Sequence, residues 1–221
     1  AGAGMMRFAL PKEKGQGLTL LCLGAHSDDI EIGCGGTVLR LVEEYAPVSV
    51  IWVVFSSSEE RTREALESAH LFLANATKKE IIIKGFRDGF LPYSGAEVKE
   101  CFEALRRNIS PDLILTHCRH DLHQDHRLVS ELTWNTFRDH LIVEYEIIKY
   151  DGDFGAPNLF VHLEESVCRR KIDYIMQCFQ TQQGKNWFTE DVFFSVLRMR
   201  GLESKSPGKY AEGYYCRKLV C

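Results

Sequence analysis

Four short apolar runs, each followed by a stretch with helical spacing, constrain this chain more than any other feature. The runs lie at 18–23, 48–55, 81–83 and 112–116, and the helical stretches at 35–45, 57–74, 97–109 and 123–140. A short strand that is apolar throughout is buried on both faces. Strand–helix units repeated in this way give a mostly parallel sheet with helices on both faces. The expectation is an α/β, Rossmann-like fold. After residue 142 the pattern changes. Residues 142–150 alternate like an exposed strand, 159–163 read as another strand, 165–180 and 190–199 as helices, and 214–220 as a closing strand. The C-terminal third is therefore a modification of the repeating plan. No composition shift or repeat marks a boundary, so residues 6–221 read as a single domain. Residues 1–5, which open Ala-Gly-Ala-Gly, read as an expression scar.

Composition narrows the function classes. The 221 residues carry 27 basic and 31 acidic side chains, a net charge of −4, and no long basic run, which argues against a nucleic-acid surface. No apolar run approaches the ~18 residues of a membrane span, and no leader pattern precedes the first strand, so the expected setting is cytoplasmic. The eight cysteines include no CxxC pair. Several lie in apolar segments, where a thiol behaves as a small hydrophobe, and neither disulfides nor a cysteine-rich zinc site is expected.

The first strand ends in Ala25-His26-Ser27-Asp28-Asp29, and the fourth is followed by His117, His120, Asp121, His123, Asp125 and His126. In open α/β sheets, ligands bind outside the carboxyl ends of the strands. If these two strands are neighbours, both clusters face one crevice, and His, Asp and His from two loops suit zinc. Taken singly, each cluster has a plainer reading. Adjacent aspartates also cap helices, and His123 and His126 also fit one face of a helix. Asp125 fits two roles, holding the His123 imidazole or satisfying N–H groups in the first turn of a helix. Gly33-Cys34-Gly35-Gly36 has the wrong spacing for a dinucleotide loop. These glycines suit either a close turn into the next helix or simple packing. His117 and His120 read as loop or packing residues.

The segment Gly24-Ala25-His26-Ser27-Asp28-Asp29-Ile30-Glu31-Ile32-Gly33 closely resembles the (A/P)HPDDxExG motif of the LmbE/PIG-L-like zinc deacetylases. His123-Gln124-Asp125-His126 resembles their HPDH motif. Arg61 to Ala65 resembles the family's RxxEA helix start, Arg87 to Leu91 its D-G-x-L loop, and Tyr210 to Tyr214 its YAEGF ending. Ser27 and Gln124 stand where the family usually has proline, and His162 stands near an acidic position of many relatives. The first two are not ligand positions in the family, and nothing is carried over at the third.

By this resemblance His26, Asp29 and His126 are the ligands of one zinc ion per chain, Asp28 is the general base, and His123 stabilises or protonates. Three protein ligands leave a zinc position open, as hydrolysis requires. Asp125 joins the catalytic group through its place beside His123. Arg61 is the candidate for binding substrate hydroxyls or phosphate, with a helix-start pairing to Glu64 as the alternative. The implied reaction removes an N-acetyl group from an amino sugar or its conjugate, giving acetate and a free amine. A zinc amidase for a bulkier amide and a non-catalytic sugar- or nucleotide-binding protein are the alternatives. The expected partner is a small N-acetylated sugar, with no nucleic acid and no membrane span, and the fold is compatible with a homo-oligomer.

Overall fold

A computed structural model describes residues 16–220, so the segment read as an expression scar lies outside the described residues. The chain forms a seven-stranded sheet. β1 (Leu18–His26), β2 (Val48–Ser56), β3 (Lys78–Phe86), β4 (Leu113–His117) and β5 (Ile142–Tyr145) are parallel. β7 (Tyr210–Cys216) is antiparallel to both β5 and β6 (Leu159–Leu163), and the order is β3-β2-β1-β4-β5-β7-β6.

The apolar runs are buried on both faces, as their composition requires. Leu20, Cys22, Val50, Trp52 and Val54 enter a core shared with α1 (Asp29–Glu44), α2 (Glu59–Phe72), α5 (Glu165–Cys178) and α6 (Glu190–Glu203). Leu21, Leu23, Ile51, Val53 and Phe55 enter a second core with α3 (Gly95–Asn108) and α4 (Gln124–Thr136). Each fully buried aliphatic side chain contributes roughly 1.5–3 kcal/mol. The chain moves outward from β1 through β2 to β3, then returns to the other side of β1 as β4. The strand order therefore reverses between β1 and β4, and the crevice of a doubly wound sheet opens at such a reversal. The expected fold class and modified C-terminal third both stand, and several boundaries differ.

The first helix begins at Asp29 rather than 35, so Gly33, Gly35 and Gly36 lie inside it rather than in a turn. They permit close approach. A Cβ on Gly33 would enter the Tyr145 ring, and one on Gly36 would lie 2.9 Å from a Glu212 oxygen. Glu212 accepts from the N–H groups of Gly36 and Thr37 at 2.9 and 2.7 Å. Lys171 Nζ bonds both Glu212 and the Ile32 carbonyl at 2.7 Å. This buried pair fastens α5 and β7 to the helix that Asp29 begins, which gives the Tyr210–Tyr214 motif a structural reason.

β5 spans Ile142–Tyr145 and is fully buried, not an exposed strand over 142–150. Glu144 made it look half-solvated, but its carboxylate is buried against Arg217 Nε and Trp134 Nε1, each at 2.6 Å. β7 begins four residues earlier than the expected 214–220, at Tyr210. β3 is longer than its apolar centre because polar residues suffice at a sheet edge. Among the described residues no helix is long and apolar enough to cross a membrane.

Candidate metal centre and active site

β1 runs through His26 and α1 starts at Asp29, leaving Ser27 and Asp28 to turn the chain. Asp28 takes φ 98°, which a non-glycine residue adopts at a cost of order 1–3 kcal/mol and which recurs at functional sites. The turn separates the two carboxylates. Asp29 Oδ2 accepts from the His26 N–H at 2.6 Å, while Asp28 Oδ2 meets Arg61 Nη2 at 3.1 Å. Burial pushes the Asp28 carboxyl up to about 6 against the opposing Arg61 charge. Burial also acts to raise Asp29, but the facing imidazoles of His126, His117 and His26 outweigh it and keep Asp29 ionised.

The second loop, from the end of β4 to α4, brings its histidines over Asp29. His126 Nε2 lies 3.1 Å from His26 Nδ1 and 3.5 Å from Asp29 Oδ1, and His26 Nδ1 lies 3.4 Å from Asp29 Oδ2. A tetrahedral zinc with N/O ligands at 2.0–2.1 Å separates its ligand atoms by about 3.3 Å. The three side chains thus outline one face of such a site, although the two Asp29 distances use different oxygens. Burial and the neighbouring His117 push His126 down to about 4. The donor set and its spacing fit a divalent ion. Overlapping groups of potential ligand atoms, His26–His123–His126, Asp29–His117–His126 and His26–Asp88–Asp125, each lie within 4.8 Å.

His123 is the N-cap of α4, half-buried, with its ring 4.8 Å from that of His26 and 4.6 Å from that of His126. Burial and His26 pull its pKa below the ordinary value, with the Asp125 charge opposing. Asp125 was expected beside His123, but its carboxylate goes elsewhere. Oδ2 lies 3.0 Å from His26 Nε2 and takes the Gly89 N–H at 2.8 Å, and Oδ1 takes the Leu91 N–H at 3.1 Å. Only the Asp125 N–H reaches His123, donating to Nδ1 at 3.3 Å.

Arg61 lines the cleft and does not make the alternative pairing with Glu64. Its guanidinium bonds Asp28, the Ser27 carbonyl and Thr181 Oγ1, while Glu64 takes the Thr181 N–H and hydroxyl at 2.8 and 2.7 Å. Asp121 and Asp88 had no role assigned from sequence, and His117 read as a loop or packing residue. Asp121 holds His126 Nδ1 at 2.9 Å, Asp88 lies 3.1 Å from His26 Nε2, and His117 lies 3.1 Å from Asp29. The Asp-x-His-x-Asp-His spacing at 121–126 is the one signal that would have exposed Asp121.

The site opens into a cleft of about 610 Å³ whose walls include Arg61, Arg87, Lys149, Tyr150, Lys185 and Trp187. His26, Asp28, Asp29, His123 and His126 all line it. Fold and floor together describe an α/β protein with a cluster of candidate His/Asp metal ligands at the strand-order reversal.

Residues 21–137 match the family described as PIG-L, GlcNAc-PI de-N-acetylase, which is more than half of the 221-residue chain. The chain belongs to that family. Both site loops fall within the match, and the modified C-terminal third falls outside it. Among solved structures, the conserved protein TT1542 from Thermus thermophilus is 22% identical, covers 92% of this chain and 96% of its own, and has a TM-score of 0.70. The N,N'-diacetylchitobiose deacetylase from Pyrococcus horikoshii is 23% identical over 94% of this chain and 86% of its own, with a TM-score of 0.68. GalB, the 4-carboxy-2-hydroxymuconate hydratase from Pseudomonas putida, is 19% identical over 92% and 98%, with a TM-score of 0.69. At these identities the likeness shows the fold, and that fold carries more than one chemistry.

Proposed function

We propose that this protein is a zinc-dependent hydrolase that removes the N-acetyl group of an amino sugar or its conjugate. Water is consumed, and acetate and a free amine are released. The observation that carries the reading is that His26 Nδ1 and His126 Nε2 lie 3.1 Å apart, each within 3.5 Å of one of the two Asp29 oxygens, on the floor of an open cleft. These three side chains would hold one zinc ion. When bound, zinc supplies Lewis acidity, polarising the amide carbonyl and lowering the pKa of water toward ~7.

The remaining roles fall to the chain itself. Asp28, diverging from Asp29 at the positive-φ turn, takes the proton of the attacking water on its carboxylate. His123, across the floor, gives a proton to the departing nitrogen, which an amide needs before its C–N bond breaks. Arg61 orients Asp28 and borders the substrate space. The walls mix aromatic faces, Tyr150 and Trp187, with cationic and amide groups, a lining suited to a ring with both hydroxyl and apolar faces.

The test is mass spectrometry of zinc-loaded protein with a panel of N-acetylated sugars and conjugates, alongside metal analysis. Stoichiometric acetate and amine, about one zinc per chain, and loss of zinc in His26→Ala and His126→Ala are expected. Full zinc retention in both variants removes the ligand set. A protein that keeps zinc but cleaves only bulkier amides moves the substrate class, and one that binds sugars without turnover is a binding protein.

A further inference from the structure

His117 closes β4 beneath the site and is fully buried. It does not line the cleft, so substrate does not reach it. Yet it touches two of the three proposed ligands. Its Nε2 lies 3.1 Å from Asp29 Oδ2, and its ring stacks on His126 with centroids 3.9 Å apart and planes 18° from parallel.

The stacking decides what His117 does. The lone pairs of an imidazole lie in the ring plane, so two nearly parallel stacked rings do not aim their nitrogens at one ion between them. His117 therefore does not share a metal with His126, despite the proximity of its donor atom. It acts from behind. Ala25 N–H at 2.9 Å and Tyr145 Oη at 3.3 Å also meet Nε2, and Tyr145 is itself anchored to the Leu23 carbonyl at 2.6 Å. One ring nitrogen thus joins the end of β1, the side chain of β5 and the Asp29 carboxylate. Nε2 accepts the Ala25 N–H, so it is the ring's acceptor and has no proton to give the Asp29 carboxylate packed against it, and Nδ1 is buried without a hydrogen-bond partner.

We propose that His117 is a positioning residue for the metal centre. Anchored by the Ala25 N–H, it fixes the plane of His126 from the side away from the cleft and limits where the Asp29 carboxylate packed against it can turn. Groups that orient ligands in this way change metal affinity by about 10–100-fold when removed. This inference rests on the metal-site reading above, and the two are separable by experiment.

The test measures zinc dissociation constants by competition with a chromogenic chelator, with the visible spectrum of the cobalt-loaded protein as a second readout. His117→Phe keeps a stacking ring and loses the nitrogen that accepts the Ala25 N–H, His117→Leu loses both, and His117→Gln restores an acceptor of similar reach. Phe and Leu should weaken zinc binding about 10–100-fold and alter the cobalt spectrum, and Gln should recover part of both. Zinc affinities within about twofold of wild type in Phe and Leu overturn the proposal. So does a lowered zinc-free melting temperature with unchanged affinity, which marks a packing residue. If Leu does not fold, Phe and Gln give the answer. His126→Ala in the same assay tests the ligand set independently, because its unchanged affinity would remove the site and not merely its support.

Discussion

The Asp125 carboxylate lies 3.0 Å from Nε2 of His26, across a sequence separation of 99 residues. The same carboxylate accepts the N–H groups of Gly89 and Leu91. One fully buried side chain therefore joins the loops after β1, β3 and β4. It also sets the His26 ring so that Nε2 is engaged from behind and Nδ1 faces His126. Carboxylate–histidine pairs of this kind orient metal ligands and raise their basicity.

Asp125→Asn should therefore affect the metal as well as the fold. The amide keeps one acceptor and replaces the other with a donor aimed at an N–H. Zinc affinity should fall about 10–100-fold, and the zinc-free melting temperature should fall because loop N–H groups lose an acceptor. Titration against a competing chelator, with calorimetry of the zinc-free protein, checks both. Unchanged affinity would return Asp125 to a role in the first turn of α4.

Arg61 gives a kinetic prediction. Burial raises the Asp28 carboxyl to about 6, and the Arg61 charge is the largest influence opposing that rise. Asp28 works as a base only when ionised, so activity falls as pH drops through its pKa. Removing the guanidinium must push that pKa higher. In Arg61→Met the acidic limb of kcat/KM should move to higher pH, and in Arg61→Lys it should move less, because a point charge only partly replaces a planar fork. An unmoved limb in Arg61→Met would separate Arg61 from the base.

The site was legible where its chemistry is local. His26, Asp28, Asp29, His123 and His126 converge on one cleft because β1 and β4 are adjacent, an adjacency expected from the repeating strand–helix pattern. The partners of these residues were not legible. Asp125 lies two positions from His123, yet it serves His26, because the first turn of α4 points its carboxylate toward β1. Arg61 and Glu64 are one helical turn apart, yet they do not pair: both meet Thr181, and Arg61 also reaches Asp28 after β1. The start of α1 was displaced by its glycines, which signal a turn in sequence but serve here to admit the Tyr145 ring and the Glu212 carboxylate. Buried carboxylates misled in the same way. Glu144 broke an apolar run whose burial depends on Arg217, more than seventy residues later.

Glu31 predicts a pH dependence of stability. It is buried in α1, neither carboxylate oxygen has a hydrogen-bond partner in good geometry, and burial raises its pKa from 4.5 to about 8. Between those values the folded protein keeps a proton that the unfolded chain has released. The associated stability is complete below pH 4.5, declines through the window, and is gone above about 8. Glu31→Gln has no such proton. The melting temperature of its zinc-free form should decline less across that window than the wild type's. Parallel declines in the two proteins would place the pH dependence on other groups.

Asp28 and Asp29 separate base from ligand most directly. Asp28→Asn removes the proton acceptor at constant size, and the nitrogen it introduces faces Arg61. Zinc content should be unchanged, while turnover should fall about 10²–10⁴-fold. Asp29→Asn instead places a neutral amide where the His26 N–H and the ion both require a carboxylate oxygen. Zinc should be weakly held, because an amide is a poorer ligand for the ion than a carboxylate, and activity should return in part at high zinc. Elemental analysis paired with acetate release distinguishes the cases. Zinc lost in Asp28→Asn and kept in Asp29→Asn exchanges the two roles. Full activity and full zinc in Asp28→Asn place the base elsewhere, with His123 and Asp88 the cleft-lining titratable groups beside the proposed ligands.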